Sequence, residues 1–327
     1  MIRIKICLYI LLLSFLFEKA YGAGNNFQHN HELDASRIWT SDGWQSDLLK
    51  MGLHHPNSNL QWAYPNEPDK GSTWSVDVQT GTKTLDSNYL KFDKIDTSLF
   101  LKLSSKQVFL GQVGILNLEN QRKEQRLIPT GMLQFENIDS RYFFKMKLRQ
   151  DNVSQYLMGN IEWMKRVDAL ELNPILKIFI LNDLILKSDY QQLHMTDGNS
   201  RQKMDLELKK GFAISEPWFW MGPGLEYTSF RNEDSLYWSP QKVLSYGLRL
   251  DASKAIGNQF RINLGASYHQ LQENDLTPGW GHYLITGISW GLRETQKVTI
   301  QYEDIQSKQN ASTWYSHGLG LNVLWSY

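Results

Sequence analysis

The chain has 327 residues, with 34 basic and 34 acidic side chains, and its mean hydropathy is −0.44. This charge balance excludes a nucleic-acid-binding protein and a polybasic membrane-surface protein, and the low hydropathy excludes a bundle of membrane-spanning helices. Cys7 is the only cysteine, so a disulfide-stapled fold and a cysteine-based metal site or nucleophile are excluded as well.

The first 22 residues have the three parts of a secretory signal peptide. Arg3 and Lys5 form a short basic segment, and residues 6–17 are then almost wholly apolar. This run fits the ~7–15 residues of a signal core and falls short of the ~20 that a spanning helix needs. Small residues at Ala20 and Gly22 predict cleavage before Ala23. We therefore expect a signal peptide over residues 1–22 and a mature domain over residues 23–327.

Apolar and polar residues alternate in several runs along the mature chain, which is typical of β-strands with two different faces. In chain order, the apolar positions are Trp74, Val76, Val78; Tyr142, Phe144, Met146, Leu148; Met204, Leu206, Leu208; Leu244, Tyr246, Leu248, Leu250; Phe260, Ile262, Leu264, Ala266, Tyr268; Val298, Ile300 and Tyr302. Turn-forming residues separate these runs, so we expect antiparallel neighbours. Residues 173–193 are apolar without clean alternation, and we favour two strands over a short helix.

These runs predict an all-β fold, an antiparallel transmembrane β-barrel in contact with outer-membrane lipid. Hydrocarbon cannot satisfy backbone hydrogen bonds, so strands cross it only as a closed sheet. At roughly 18–22 residues for each strand with its connection, the mature chain predicts about 16 strands, with 14 or 12 as alternatives. Aromatic residues near the ends of the apolar faces would form interfacial girdles: Tyr142, Tyr246, Tyr268, Tyr283, Trp290, Tyr302 and Trp325.

The last run resembles the C-terminal strand by which outer-membrane proteins are recognised by the barrel-assembly machinery. Its apolar positions are Leu319, Leu321, Val323, Trp325 and the terminal aromatic Tyr327. Together with the signal peptide, this resemblance implies localisation in the bacterial outer membrane and the assembly machinery as a partner.

Charged residues occupy the polar face of several predicted strands and would line the lumen if the apolar face meets lipid. They are Lys145, Lys147, Arg149, Asp205, Glu207, Lys209, Arg249, Asp251 and Arg261. Opposite charges in a lumen can set the selectivity of a pore, or they can form a neutralised ladder that fills it. The sequence leaves both interpretations open.

Other chemistry is weakly indicated, and we expect no cofactor, no metal site and no enzymatic activity. His29, His31, His54 and His55 lack a complete metal-binding spacing. His269, His282 and His317 lie on late strands near Ser267 and Ser316, as in a lipase, but no carboxylate is evident that would orient them.

The segment Tyr237-Trp238-Ser239-Pro240-Gln241 leads into a predicted strand. It resembles the aromatic-aromatic-Ser-Pro-Gln segment of outer-membrane exopolysaccharide export proteins, above all the C-terminal porin domain of the cellulose synthase outer-membrane subunit. The resemblance extends to the end of the chain and implies a passive channel for a sugar chain, lined by aromatic and charged side chains. Those proteins carry a tetratricopeptide scaffold, and no repeat of ~34 residues appears here, so the barrel is expected to work alone or with a separate periplasmic scaffold.

Two alternatives to polysaccharide export remain, a porin for small solutes and a barrel whose loops bind a surface partner without transport. The segment Pro217-Trp218-Phe219-Trp220 can be interpreted as a sugar-stacking surface or as part of an interfacial belt.

Overall fold

The computed structural model describes residues 30–54, 72–104, 106–213, 215, 217–257, 259–274, 276–293, 296–309 and 312–326. The predicted signal peptide, His29, His55 and Tyr327 lie outside these residues. Within this part of the chain, no helix is long and apolar enough to cross a membrane.

The fold is a closed antiparallel barrel in which each strand pairs with its neighbours in sequence, and β1 pairs with β16 to close the sheet. The strands are β1 (Asn30–Thr40), β2 (Trp44–His54), β3 (Ser72–Leu85), β4 (Asn88–Lys102), β5 (Gln107–Asn120), β6 (Gln125–Ile138), β7 (Tyr142–Asn152), β8 (Asp168–Leu181), β9 (Leu184–Met195), β10 (Ser200–Ala213), β11 (Trp218–Phe230), β12 (Val243–Ile256), β13 (Phe260–Glu273), β14 (Gly279–Arg293), β15 (Gln296–Gln309) and β16 (Ser312–Ser326). The prediction of 16 strands is confirmed, and the alternatives of 14 and 12 are wrong. Residues 173–193 form parts of β8 and β9, as expected.

The burial of side chains is inverted relative to a water-soluble protein. On β4, the inward Lys94 and Asp96 are buried, whereas the outward Ile95 and Leu99 are 56% and 48% exposed. Exposed aliphatic side chains of this kind recur around the outer face of the barrel. A lipid environment accounts for this arrangement. Contact with hydrocarbon costs the apolar face no free energy, and the closed sheet satisfies the hydrogen bonds of its own backbone.

Two tryptophans mark the height of the apolar belt on β14. Trp280 and Trp290 lie on the outward face and are both about half exposed. Their separation along the strand is ~33 Å at ~3.3 Å per residue, which a tilt of ~40° reduces to ~25 Å across the membrane. This is the height of the apolar band in outer-membrane barrels, and it places the protein in the bacterial outer membrane.

The last strand contributes to this outer face. Leu319 and Leu321 are exposed to the outside and alternate with the inward Gly318 and Gly320. Trp325 pairs with His31 across the seam. The aromatic prediction needs one correction: Tyr283 faces the lumen, because its partner Ser267 pairs in turn with the inward Arg249.

Candidate functional site in the barrel lumen

The connection between β7 and β8, residues 153–167, folds back into the barrel, and we call it the plug. It contains a 3-10 turn (Val153–Gln155) and helix α1 (Ile161–Arg166). Asparagine caps begin both elements. Asn152 accepts a hydrogen bond from the backbone N–H of Ser154, and Asn160 accepts from Glu162 and Trp163 at 2.9 and 3.3 Å. These side chains satisfy amide groups that a short helix leaves unpaired.

The plug packs on an apolar patch of the inner wall near the end of the barrel that it enters, the plug end. Val153 and Met164 are fully buried there. Their surroundings are the inward apolar residues Leu90, Phe92, Leu116, Leu118, Ile128, Leu193 and Phe230. Burying each large apolar side chain contributes roughly 1.5–3 kcal/mol. The plug is therefore held as a small hydrophobic core inside an otherwise polar lumen.

Polar contacts tie the plug to strand ends around it. The side-chain amide of Asn152 donates to the carbonyl oxygens of Met164 and Val167 at 2.9 and 2.7 Å. Lys165 contacts Glu124 at 2.6 Å, and Arg126 donates to the carbonyl oxygen of Lys165 at 2.8 Å. These bonds join the C-terminal part of the plug to the connection between β5 and β6.

The aromatic segment singled out in the sequence covers the plug. Tyr237 is buried and stacks on Trp163 of α1, with ring centroids 4.0 Å apart. Its hydroxyl contacts Asn199, and burial raises the pKa of this phenol to about 12. Ser239 accepts a hydrogen bond from the backbone N–H of Asp234 at 2.6 Å, which fixes the turn.

The rest of that segment divides between interior and surface. Pro240 is buried, and its carbonyl oxygen accepts from the Phe230 N–H at 3.2 Å. Gln241 is exposed. Trp238 is 56% exposed, and its indole N–H donates to Glu273 at 3.3 Å. The segment thus both anchors the plug and presents one ring at the mouth of the lumen.

Charged residues beneath the plug form ion pairs with buried carboxylates. Lys94 lies 2.7 Å from Asp151 and 3.2 Å from Asp96, and Arg149 lies 2.6 Å from Asp151. Lys147 contacts Glu171 at 2.9 Å. A further pair joins Lys145 to Glu136 at 3.7 Å. The structure therefore places Lys145, Lys147 and Arg149 on the inward face of β7, each opposite a carboxylate.

A second network crosses the inner wall of β10 to β12. Glu207 contacts Lys209 at 2.7 Å and Arg249 at 2.5 Å, while Lys209 and Arg249 reach Asp251 and Asp205, each at 2.6 Å. The side chain of Asp251 remains 41% exposed, against 3% for Lys94 beneath the plug. Arg261 also faces inward on β13, with a guanidinium nitrogen 3.5 Å from the hydroxyl of Ser253. The plug leaves this half of the lumen uncovered, and water reaches it at Asp251.

Glycines let large inward side chains lie flat against the wall. Arg249 crosses β11 at Gly224, where an added Cβ would lie 2.3 Å from the Arg249 Nε. The ring of His269 lies over Gly281, where a Cβ would be 2.5 Å from its Nε2. Because the side chains lie along the wall, they project less into the centre of the lumen. Sequence reasoning missed these contacts between a glycine and a large side chain because the two residues lie on different strands.

The two tryptophans at the start of β11 face the lumen. Trp218 pairs with Ser253 and Trp220 with Asp251, both inward positions of β12, whereas Phe219 between them faces outward. Of the two interpretations of this segment, the structure places the tryptophans inside the barrel. They lie at the opposite mouth from the plug, the terminal end, where β1 begins and β16 ends.

The lipase-like arrangement is not assembled. His269 faces inward, with its Nδ1 3.3 Å from the Ser267 hydroxyl. His282 and His317 face outward and contact Asp304 at 2.9 and 2.8 Å, whereas Ser316 faces the lumen. Sequence reasoning missed Asp304 as the carboxylate that orients both rings. Among the described residues, no group of three or more His, Cys, Asp or Glu side chains could hold a metal ion.

No protein-family model and no curated protein matches this sequence. Among solved structures, the chain is similar to a bacterial polysaccharide outer membrane secretin, with a TM-score of 0.72 and 10% identity over 93% of this chain and 100% of that chain. It is also similar to CdiB from Acinetobacter baumannii, with a TM-score of 0.53 and 10% identity over 91% of this chain and 60% of that chain. At these identities the similarity concerns the fold. The protein is an outer-membrane β-barrel whose fold resembles that of a polysaccharide outer membrane secretin.

Proposed function

We propose that this barrel is a passive outer-membrane pore that exports a polysaccharide. The observation that carries the proposal is the divided lumen. The plug covers the inner wall of β4 to β8, while the wall of β10 to β13, which we call the open strip, is left uncovered, is lined by paired charges and is in contact with water at Asp251. A hydrated strip of this kind suits a polar polymer that must pass without being trapped, because paired charges form hydrogen bonds but exert little net field.

Two further features support a sugar chain over other solutes. The fold resembles a polysaccharide outer membrane secretin along nearly the whole chain. The Tyr237 segment, which resembles that of exopolysaccharide export proteins, holds the plug and borders the mouth of the open strip. A porin for small solutes is the second candidate, because Asp251 faces the lumen and is open to water as in a diffusion pore.

The connections indicate the direction of transport. At the terminal end, the connections have two to four residues except for residues 55–71. At the plug end, the connections include two long ones, residues 153–167 and 231–242. Outer-membrane barrels have short periplasmic turns and longer outer loops. The polymer would enter at the terminal end, from a separate periplasmic scaffold, and leave beside the plug, while the barrel-assembly machinery would insert the protein.

The test is single-channel conductance of the refolded mature protein in a planar bilayer, with a heat-modifiability gel as the control for folding. We expect steady conductance that added cellohexaose or maltohexaose interrupts. A folded barrel that conducts but is never interrupted by either sugar would favour the small-solute porin. A folded barrel that does not conduct would contradict both pore hypotheses.

A further inference from the structure

We propose that Trp218, Trp220 and Trp238 form a binding track for uncharged sugar rings, with two indoles at the terminal end of the open strip and one at the plug end. This inference rests on the proposed function and names the residues and the class of polymer that it would serve.

The first two rings are placed by the register of β11. Trp218 and Trp220 alternate with the outward Phe219 and lie beside the inward residues Ser253 and Asp251 of β12. Both tryptophans are half-buried, so part of each ring faces the lumen. Asp251 binds Lys209 next to Trp220. A ligand lying on the Trp220 ring would therefore find hydrogen-bonding groups beside it.

The third ring is held at the other mouth. Trp238 lies edge-on to Phe230, with centroids 6.5 Å apart, and its N–H donates to Glu273. Glu273 is an inward position, because it pairs with Val243 on the inward face of β12. The turn below is fixed by Ser239. Although 56% exposed, Trp238 is therefore a fixed ring that borders the lumen.

The chemistry of the strip between the rings selects the ligand class. Its cations are matched by carboxylates, as in Lys209 with Glu207, Arg249 with Asp205, and Lys203 with Glu226 at 3.1 Å. A charged polymer gains little from such a wall. A pyranose ring presents an apolar C–H face and a polar edge of hydroxyl groups, so an indole can cover the face while the ion pairs bind the hydroxyls.

The separation of the rings requires a polymer. The two mouths are separated by about the height of the apolar belt, ~25 Å. One monosaccharide can contact one end only, whereas a chain can contact both. Linked contacts raise the effective concentration at the second site, so residence time should rise with chain length.

The experiment measures how long cellohexaose and glucose interrupt the single-channel current of the refolded mature protein. We expect Trp220→Ala and Trp238→Ala each to shorten cellohexaose interruptions about tenfold, the usual scale for losing one stacking ring. Trp220→Phe and Trp238→Phe, which keep a ring, should retain most of the wild-type residence time. Trp290→Ala is the matched control, because Trp290 faces lipid. Heat-modifiability gels establish that every variant is folded.

The outcomes separate this inference from the proposed function. In one outcome, cellohexaose interrupts the wild-type pore, and the alanine variants of Trp220 and Trp238 behave like Trp290→Ala. This result would contradict the binding track but not the proposed export function. If the wild-type pore conducts and no sugar interrupts it, the track and the export function both fail. A stronger block by cationic chitosan hexamer than by cellohexaose would overturn the assignment to uncharged sugars.

Discussion

Trp163 and Tyr237 stack with their ring planes 17° apart, and this contact joins the plug to the connection between β11 and β12. The backbone N–H of Asn160 donates to the carbonyl oxygen of Leu236 at 2.7 Å beside it. The plug is thus fastened on both sides, by Glu124 on one and by the Tyr237 segment on the other. A plug held in this way behaves as part of the wall rather than as a gate.

Trp163→Ala removes the stack and the bond from the indole N–H to Asp197, which is 2.9 Å long. Truncation of a buried tryptophan costs about 3–5 kcal/mol, and we expect this loss to loosen the plug. Single-channel recordings should show a larger and noisier conductance than in the wild type. Tyr237→Phe, which keeps the ring and loses the contact with Asn199, should show a smaller change. Unchanged conductance in Trp163→Ala would contradict the fastening role of this residue.

Asp151→Ala should lower the stability of the folded barrel more than any exposed substitution. Asp151 is fully buried and lies between Lys94 and Arg149, so its removal leaves Lys94 paired with Asp96 and Arg149 without this ion pair. Breaking a buried pair in this way costs about 3–5 kcal/mol. The temperature at which the folded band disappears from a heat-modifiability gel measures the effect. Restoring much of the loss with Arg149→Met in the same chain, which leaves the Lys94–Asp96 pair in place, would show that the lone charge is responsible, and an additive double variant would argue against it.

The ion pairs of the open strip should control selectivity between anions and cations. The double variant Lys209→Gln and Arg249→Gln removes two cations and leaves their carboxylates facing the lumen. We expect the reversal potential in a salt gradient to shift toward cation selectivity. Lys254→Gln is the control, because Lys254 is exposed and lies on the outward face of β12. An equal shift in both variants would mean that the ions do not pass along this strip.

Acid should release the side of the plug that binds Glu124. Hydrogen bonds from Lys165 and Asn120 lower the pKa of this carboxyl below its ordinary value of 4.5. A lowered pKa in the folded state means that the stabilisation is complete above pH 4.5 and is lost as the pH falls through the lowered value. The protection of the α1 amides against hydrogen exchange, relative to the intrinsic exchange rate at each pH, should therefore fall below this pH. In Glu124→Gln this protection should depend less on acid, and identical pH profiles of protection in both proteins would disprove the link.

The strands could be predicted from the sequence because their signal is local. Alternation at every second residue decides which face meets lipid, as in β12, where Tyr246 and Leu248 point outward. The plug could not be predicted, because α1 has six residues and is too short to show a helical period. Its stability comes from contacts with distant strands and connections, such as Tyr237 on Trp163. The prediction for Tyr283 is wrong because β14 carries apolar residues on both faces, with Ile285 beside Tyr283 inside the lumen.

The closure of the sheet has a consequence for how the protein reaches this structure. At the seam, the side chain of Asn322 donates to Glu32 at 3.0 Å across 290 positions of sequence, whereas the other strand pairs join sequence neighbours. Contacts between distant residues form slowly, and until they form, the edges of β1 and β16 expose backbone groups that can pair with other chains. The yield of refolding should therefore depend on the lifetime of the open sheet. Asn322→Leu should lower that yield through aggregation. Barrels of this variant that have already closed should keep a thermal stability close to that of the wild type.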